Sequence, residues 1–129
     1  MRAKILGDKL RSDIVFDVPQ ISYSVRTEAL ANALGGFTRV AELLGVSRSQ
    51  PTRWKQGSEQ PSPESARLLI DLDHVMARAQ LVFTPQVARD WLVGANSYLD
   101  GARPIDVLQL RGSSEVVDAL DAVMQGSYS

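Results

Sequence analysis

The chain has 129 residues, 44% apolar and 22% charged, a balance that excludes wholesale disorder and suits one domain or two small ones sharing a core. It has no cysteine and a single histidine, His74, which excludes disulfide staples and thiolate metal sites and makes a reducing cytoplasm the expected setting. The net charge of −1 excludes a simple nucleic-acid sponge but is unevenly spread: residues 1–34 carry five basic and four acidic groups, residues 35–57 four and one, and residues 58–129 five and ten.

Residues 1–24 form an N-terminal arm. Their run D-I-V-F-D-V-P-Q-I-S-Y has β character, but Pro19 interrupts it, so an edge strand or extended arm is expected. No apolar run has the length of a signal peptide or of a membrane span of about 20 residues, and no membrane partner is expected. Ser24 is a natural cap for a first helix, V-R-T-E-A-L-A-N-A-L, that stops at Gly35-Gly36. A second helix, T-R-V-A-E-L-L, places Val40, Leu43 and Leu44 on one face and ends at Gly45. After the turn G-V-S comes a third helix closed by Gly57, then the polar linker S-E-Q-P-S-P.

A long helix is expected from Pro63 to Phe83, with Leu68, Leu69, Leu72, Met76, Ala79 and Phe83 at 3.6-residue spacing and Ile70, Ala77 and Leu81 outside that stripe. Thr84-Pro85 starts another helix through Leu92 and Val93, G-A-N-S-Y-L-D-G-A-R is a loop, and Pro104 opens a short helix ended by Gly112. Ser113 or Ser114 caps a last helix whose stripe is Val116, Val117, Leu120, Val123 and Met124, and Gly126 stops it. The expected fold is all-α: a helix-turn-helix over residues 25–62, then a long helix opening a small helical domain over 63–129.

Pro51 is the awkward residue, because an interior proline removes a helical hydrogen bond at a cost of about 3 kcal/mol. If Ser47 caps the third helix, in a capping box with Gln50, Pro51 deletes one such bond. If Ser49 caps it, Pro51 is the second helical residue, whose N–H has no intrahelical partner. The later start, or a tightened first turn, is favoured. Pro51 and Trp54 then face Val40, Leu44 and Val46, while Arg48, Ser49, Gln50, Thr52, Arg53 and Lys55 are candidate DNA contacts. Gln suits adenine, Arg suits guanine, and Ser, Thr and Lys suit phosphates. The competing view makes them the solvated face of a helical bundle.

No nucleophile–base pair, metal cluster or phosphate loop is present, so no enzyme activity and no cofactor are expected. The acidic pairs Asp71/Asp73 and Asp118/Asp121 read as solvated helix faces, with no burial to shift their pKa values. His74 reads as a helix-surface residue without an orienting partner.

V-A-E-L-L-G-V-S-R-S-Q-P-T-R-W-K-Q-G, followed by a long helix, resembles the Xre-like helix-turn-helix of bacterial antitoxins. R-D-W-L-V-G-A-N-S-Y-L-D-G-A-R-P-I-D-V-L, with a last helix ending M-Q-G-S-Y-S, is similar to the toxin-binding domain of the MbcA/ParS/Xre antitoxin family. The matching positions are Trp91-Leu92, Asn96, Leu99, Gly101, Pro104 and Gly126, and the resemblance covers roughly residues 25 to 129. It departs at Asp100, where many relatives have glycine, and over the first 24 residues.

The resemblance implies a type II antitoxin whose RES-type toxin consumes NAD or transfers ADP-ribose from it. It further implies a C-terminal segment entering the toxin's NAD pocket and a complex that represses its own operon. Toxin contacts are then expected from Tyr98, Arg103, Gln125, Ser127, Tyr128 and Ser129, and an acidic C-terminal half with a free α-carboxylate suits a cleft built for pyrophosphate. The alternative for those last residues is a frayed terminus. Operator DNA and self-association as a dimer follow from the helix-turn-helix reading, with half-sites about 34–36 Å apart. The alternative function is a dimeric transcription regulator without a toxin partner.

Overall fold

The computed structural model describes residues 23–126. The arm expected over residues 1–24 and the tail residues Ser127, Tyr128 and Ser129 lie outside this range, save for residues 23 and 24. Among the described residues every regular element is helical: α1 over residues 23–34, α2 Phe37–Leu44, α3 Gln50–Gln56, α4 Pro63–Ala79, α5 Pro85–Val93, a 3₁₀ turn Ser97–Leu99, α6 Pro104–Arg111 and α7 Ser114–Met124.

Helix starts follow their local chemistry. The side-chain oxygen of Ser62 accepts from Ser65 N–H at 3.1 Å and Pro63 takes the first helical position, where a proline loses nothing. Thr84 and Pro85 repeat the arrangement for α5, with Thr84 Oγ1 accepting from Val87 N–H at 3.3 Å. Ser24 does not cap α1 as expected. The helix already includes Tyr23, and the Ser24 hydroxyl instead donates to the Lys55 carbonyl at 2.7 Å, tying α1 to the end of α3. Thr27, buried on α1, satisfies its hydroxyl by donating to the Tyr23 carbonyl.

The end of α4 also departs from expectation. Its helix stops at Ala79 rather than Phe83, and residues 80–83 tighten into turns in which Leu81 N–H donates to Arg78 and Val82 N–H to Ala79. The cause is tertiary: Phe83 turns back to pack on Trp91 of α5, ring centroids 6.2 Å apart. Leu81 is thereby left 76% exposed, while the main stripe of α4 is buried as its spacing requires.

The core is centred on α4, where Leu69, Leu72, Val75 and Ala79 have no exposed surface. Against it pack α2, α6 and α7, and α6 also meets α5 and α7. One apolar cluster runs from Leu30 and Leu34 through Val40, Leu44 and Trp54 to Leu108 and Leu120. On α7 the buried face is Val116, Ala119, Leu120 and Ala122; Val117 and Val123 are half-buried and Met124 is exposed, so two alanines replace part of the expected stripe. Alanines let α7 approach its neighbours closely, a preference that side-chain bulk in the sequence does not reveal.

The acidic pairs are not plain solvated faces. Asp71 pairs with Arg67 at 2.8 Å, Asp121 with Arg78 at 2.7 Å and Asp73 with Arg26 at 3.1 Å; only Asp118 is simply exposed. Burial pushes the Asp73 carboxyl above its ordinary value despite the opposing pull of Arg26, a correction to the expectation that nothing there would shift a carboxylate. His74, beside it, is exposed.

Candidate functional site

α2 ends in a left-handed glycine. Gly45 has φ 72°, and Val46 N–H reaches back to the Ala41 carbonyl at 3.0 Å, which satisfies the end of the helix and turns the chain sharply. α3 begins at Gln50, with Ser49 as its cap residue and Pro51 second in the helix, so the proline falls where the helix lacks a hydrogen bond to lose. The capping box survives in part, because Gln50 Oε1 accepts from Ser47 N–H at 3.0 Å and from the Ser47 hydroxyl at 3.2 Å. The cap and the proline coexist since only the side chain of Gln50 reaches into the turn. Pro51 is buried and Trp54 is 1% exposed, in the same cluster as Val40 and Leu44, with Val46 packed against it.

The outer face of α3 is less open than the sequence implied. Arg48, Ser49 and Lys55 are exposed, and Gln50, Thr52 and Arg53 are half-buried. Among the described residues Arg48 and Lys55 form no ion pair. Arg53 does: its Nε lies 2.7 Å from Glu59 Oε1 and its Nη1 donates to Ser49 Oγ at 2.8 Å, while Gln50 Nε2 donates to Glu59 Oε2 at 3.1 Å. The hydrogen bonds from Arg53 and then from Gln50 hold the Glu59 carboxyl below the usual carboxylate range. Trp54 Nε1–H is buried with no acceptor in hydrogen-bonding distance among the described residues. Glu59 was invisible in the sequence, where it sat in a polar linker. Its only signal was an acid just past the helix-ending Gly57, six residues from an arginine.

The second region is the connection from α5 to α6. Asn96 caps the 3₁₀ turn by accepting from Tyr98 N–H at 2.9 Å, and its backbone closes the loop: Asn96 N–H donates to the Ala102 carbonyl and Gly101 N–H to the Asn96 carbonyl. That closure forces two successive positive φ angles, 59° at Asp100 and 88° at Gly101. Asp is among the few residues that tolerate the left-handed region, so the departure from glycine at this position keeps the turn. Asp100→Gly should leave stability unchanged or raise it by up to about 1 kcal/mol, and Asp100→Ala should lower it by a similar amount. The order of thermal midpoints, followed by circular dichroism, checks this.

Tyr98 is 40% exposed on that loop. Arg103 is exposed but engaged, its Nε and Nη2 each 2.8 Å from an oxygen of Asp106, a two-pronged pair that keeps the Asp106 carboxyl below its ordinary range. Beside the loop an open cleft of about 430 Å³ lies between buried Leu99 and Val107 and the charged Asp100, Arg111, Glu115 and Asp118. Gln125 follows α7 and is exposed, and Gly126 turns with φ 77°.

Comparison with known proteins bears on this second region. Residues 78–126, from the last turn of α4 to Gly126, match the family model of the antitoxin Xre/MbcA/ParS C-terminal toxin-binding domain. A probable mycobacterial cidal antitoxin of Mycobacterium tuberculosis (strain ATCC 25618 / H37Rv) is 28% identical over an alignment of 109 residues that covers 81% of this chain and 93% of that protein. A chain in the crystal structure of the M. tuberculosis MbcT–MbcA toxin–antitoxin complex has the same fold, with a TM-score of 0.70 and 21% identity over 82% of this chain and 96% of its own. The matched segment marks an antitoxin rather than an enzyme. Within that class the match places residues 78–126 with the C-terminal toxin-binding domains of the Xre/MbcA/ParS antitoxins. No helix among the described residues is long and apolar enough to cross a membrane.

Proposed function

We propose that this chain binds and neutralises a RES-type toxin that consumes NAD or transfers ADP-ribose from it, by passing its C-terminal segment into the toxin's nucleotide pocket. The observation that carries the reading is the match of residues 78–126 to a toxin-binding domain, ending where α7 gives way to exposed Gln125 and left-handed Gly126. Gln125, Ser127, Tyr128 and Ser129 enter the pocket, with Tyr98 and Arg103 as flanking contacts. The charge balance supports this: residues 58–129 carry ten acidic against five basic groups, and a cleft that holds a pyrophosphate is rich in positive groups.

The same chain represses its own operon as a dimer, with α2 and α3 as a helix-turn-helix. Arg48, Ser49, Gln50, Thr52, Arg53 and Lys55 face the DNA in this reading, supported by the exposed charges of Arg48 and Lys55, which form no ion pair among the described residues, at the two ends of the α3 surface.

Co-expression with a RES-type toxin from the same genome tests the inhibitory mechanism, comparing the full chain with one truncated after Met124. The cut falls at the last residue of α7, so the bundle is left whole. The truncated chain is expected to co-purify with the toxin yet fail to restore growth and cellular NAD. Full rescue by the truncated chain would mean that the tail does not close the toxin's pocket.

A further inference from the structure

Glu59 belongs to no helix, yet it joins the two side chains best suited to reading bases. Its oxygens are used separately, Oε1 for Arg53 and Oε2 for Gln50, and the bonds continue from Gln50 to Ser47 and from Arg53 to Ser49. The network thus spans the turn before α3, the first and fourth residues of the helix, and the connection behind it.

Two consequences follow from the chemistry. The Gln50 amide is fixed end for end, because its oxygen faces donors on Ser47 and its nitrogen faces a carboxylate. The guanidinium of Arg53 has five N–H donors, of which Glu59 takes the one on Nε and Ser49 takes one on Nη1. The remaining three, on Nη1 and Nη2, have no partner among the described residues, and the Arg53 side chain is 43% exposed. That end of the fork suits the paired acceptors O6 and N7 of guanine. A carboxylate beside it also repels phosphate, which would otherwise capture an unconstrained arginine.

We propose that Glu59 is a specificity-determining positioning residue. It holds Gln50 and Arg53 as one pre-ordered pair whose guanidinium end addresses a guanine edge in a DNA major groove. This rests on the DNA-reading role of α3 given under Proposed function. Glu59 itself touches no base. It removes the need to order two long side chains at the moment of contact, and it makes backbone contacts by Arg53 less favourable than base contacts.

Fluorescence anisotropy with the full chain tests it, using a duplex from upstream of the chain's own coding sequence and a shuffled duplex of the same length. Glu59→Ala is expected to weaken binding to the first by about tenfold while binding to the shuffled duplex holds or tightens, so that the preference collapses. Glu59→Gln, which keeps an acceptor for Arg53 without the charge, is expected to lie between. It also carries the decision if the alanine variant loses helical signal in circular dichroism. A preference undiminished in both variants overturns the role of Glu59 alone. A wild-type chain with no preference between the duplexes overturns the DNA reading beneath it.

Discussion

Trp54→Ala is expected to cost about 3–5 kcal/mol, the range for deleting a fully buried large aromatic side chain. Trp54 is 1% exposed and is the largest side chain in the core. α3 has only seven residues, too few to persist as a helix in water by its own propensity. It is held by burial of Pro51 and Trp54, by packing on α2, by the Ser24 hydroxyl donating to the Lys55 carbonyl, and by the Glu59 network at its first turn. Against a total stability of about 5–15 kcal/mol, the loss removes a large fraction of the folded population or melts α3 locally. Urea unfolding followed by far-UV circular dichroism measures the first, and amide hydrogen exchange at residues 50–56 the second. Trp54→Phe, which refills most of the space, should recover more than half of the loss. A midpoint of Trp54→Ala within error of the parent would show that α3 is anchored elsewhere.

Leu69→Ala is the second large effect, at about 2–5 kcal/mol. Leu69 has no exposed surface and sits on α4, the helix against which α2, α6 and α7 all pack. Leu69 is wholly buried in a continuous core, so a cavity there is expected to collapse only in part and the cost to fall in the upper half of the range. The apolar cluster is continuous from Leu30 to Leu120, so the variant should shift one unfolding transition as a unit, with an unchanged dependence on urea. Two separated transitions would contradict a shared core.

Much of this architecture could be read from the residues because it is written in local chemistry. Ser62-Pro63, Thr84-Pro85 and Pro104 start helices wherever they occur, and the buried stripe of α4 follows from spacing alone. The placement of Pro51 at the second position of α3 was likewise decided by counting backbone donors. What escaped was set by partners distant in the chain. The end of α4 depends on Phe83 meeting Trp91, the role of Ser24 on a carbonyl 31 residues away, and the burial of Ala119 and Ala122 on how closely neighbouring helices come. Glu59 escaped for a related reason. Its partners are near in sequence, but a turn must form before a linker acid can face backward onto a helix. Of the expected toxin contacts, Tyr98, Arg103 and Gln125 are all on the surface, which periodicity and loop composition already suggested.

Beside the Arg26–Asp73 ion pair, two ties between the front helices α1 and α2 and the helices behind them share one chemical asymmetry. Arg89 of α5 donates to the Ala33 carbonyl at 2.9 Å, and Gln109 of α6 donates to the Leu43 carbonyl at 2.8 Å. Each has a particular side chain at the rear and only main chain at the front. A carbonyl is offered by every amino acid, so residues 33 and 43 can change identity without cutting these links. Through these two links the front helices can acquire a different surface vocabulary at residues 33 and 43 while remaining docked on the same rear scaffold, whereas replacing Arg89 or Gln109 severs a link that no change at those front positions restores.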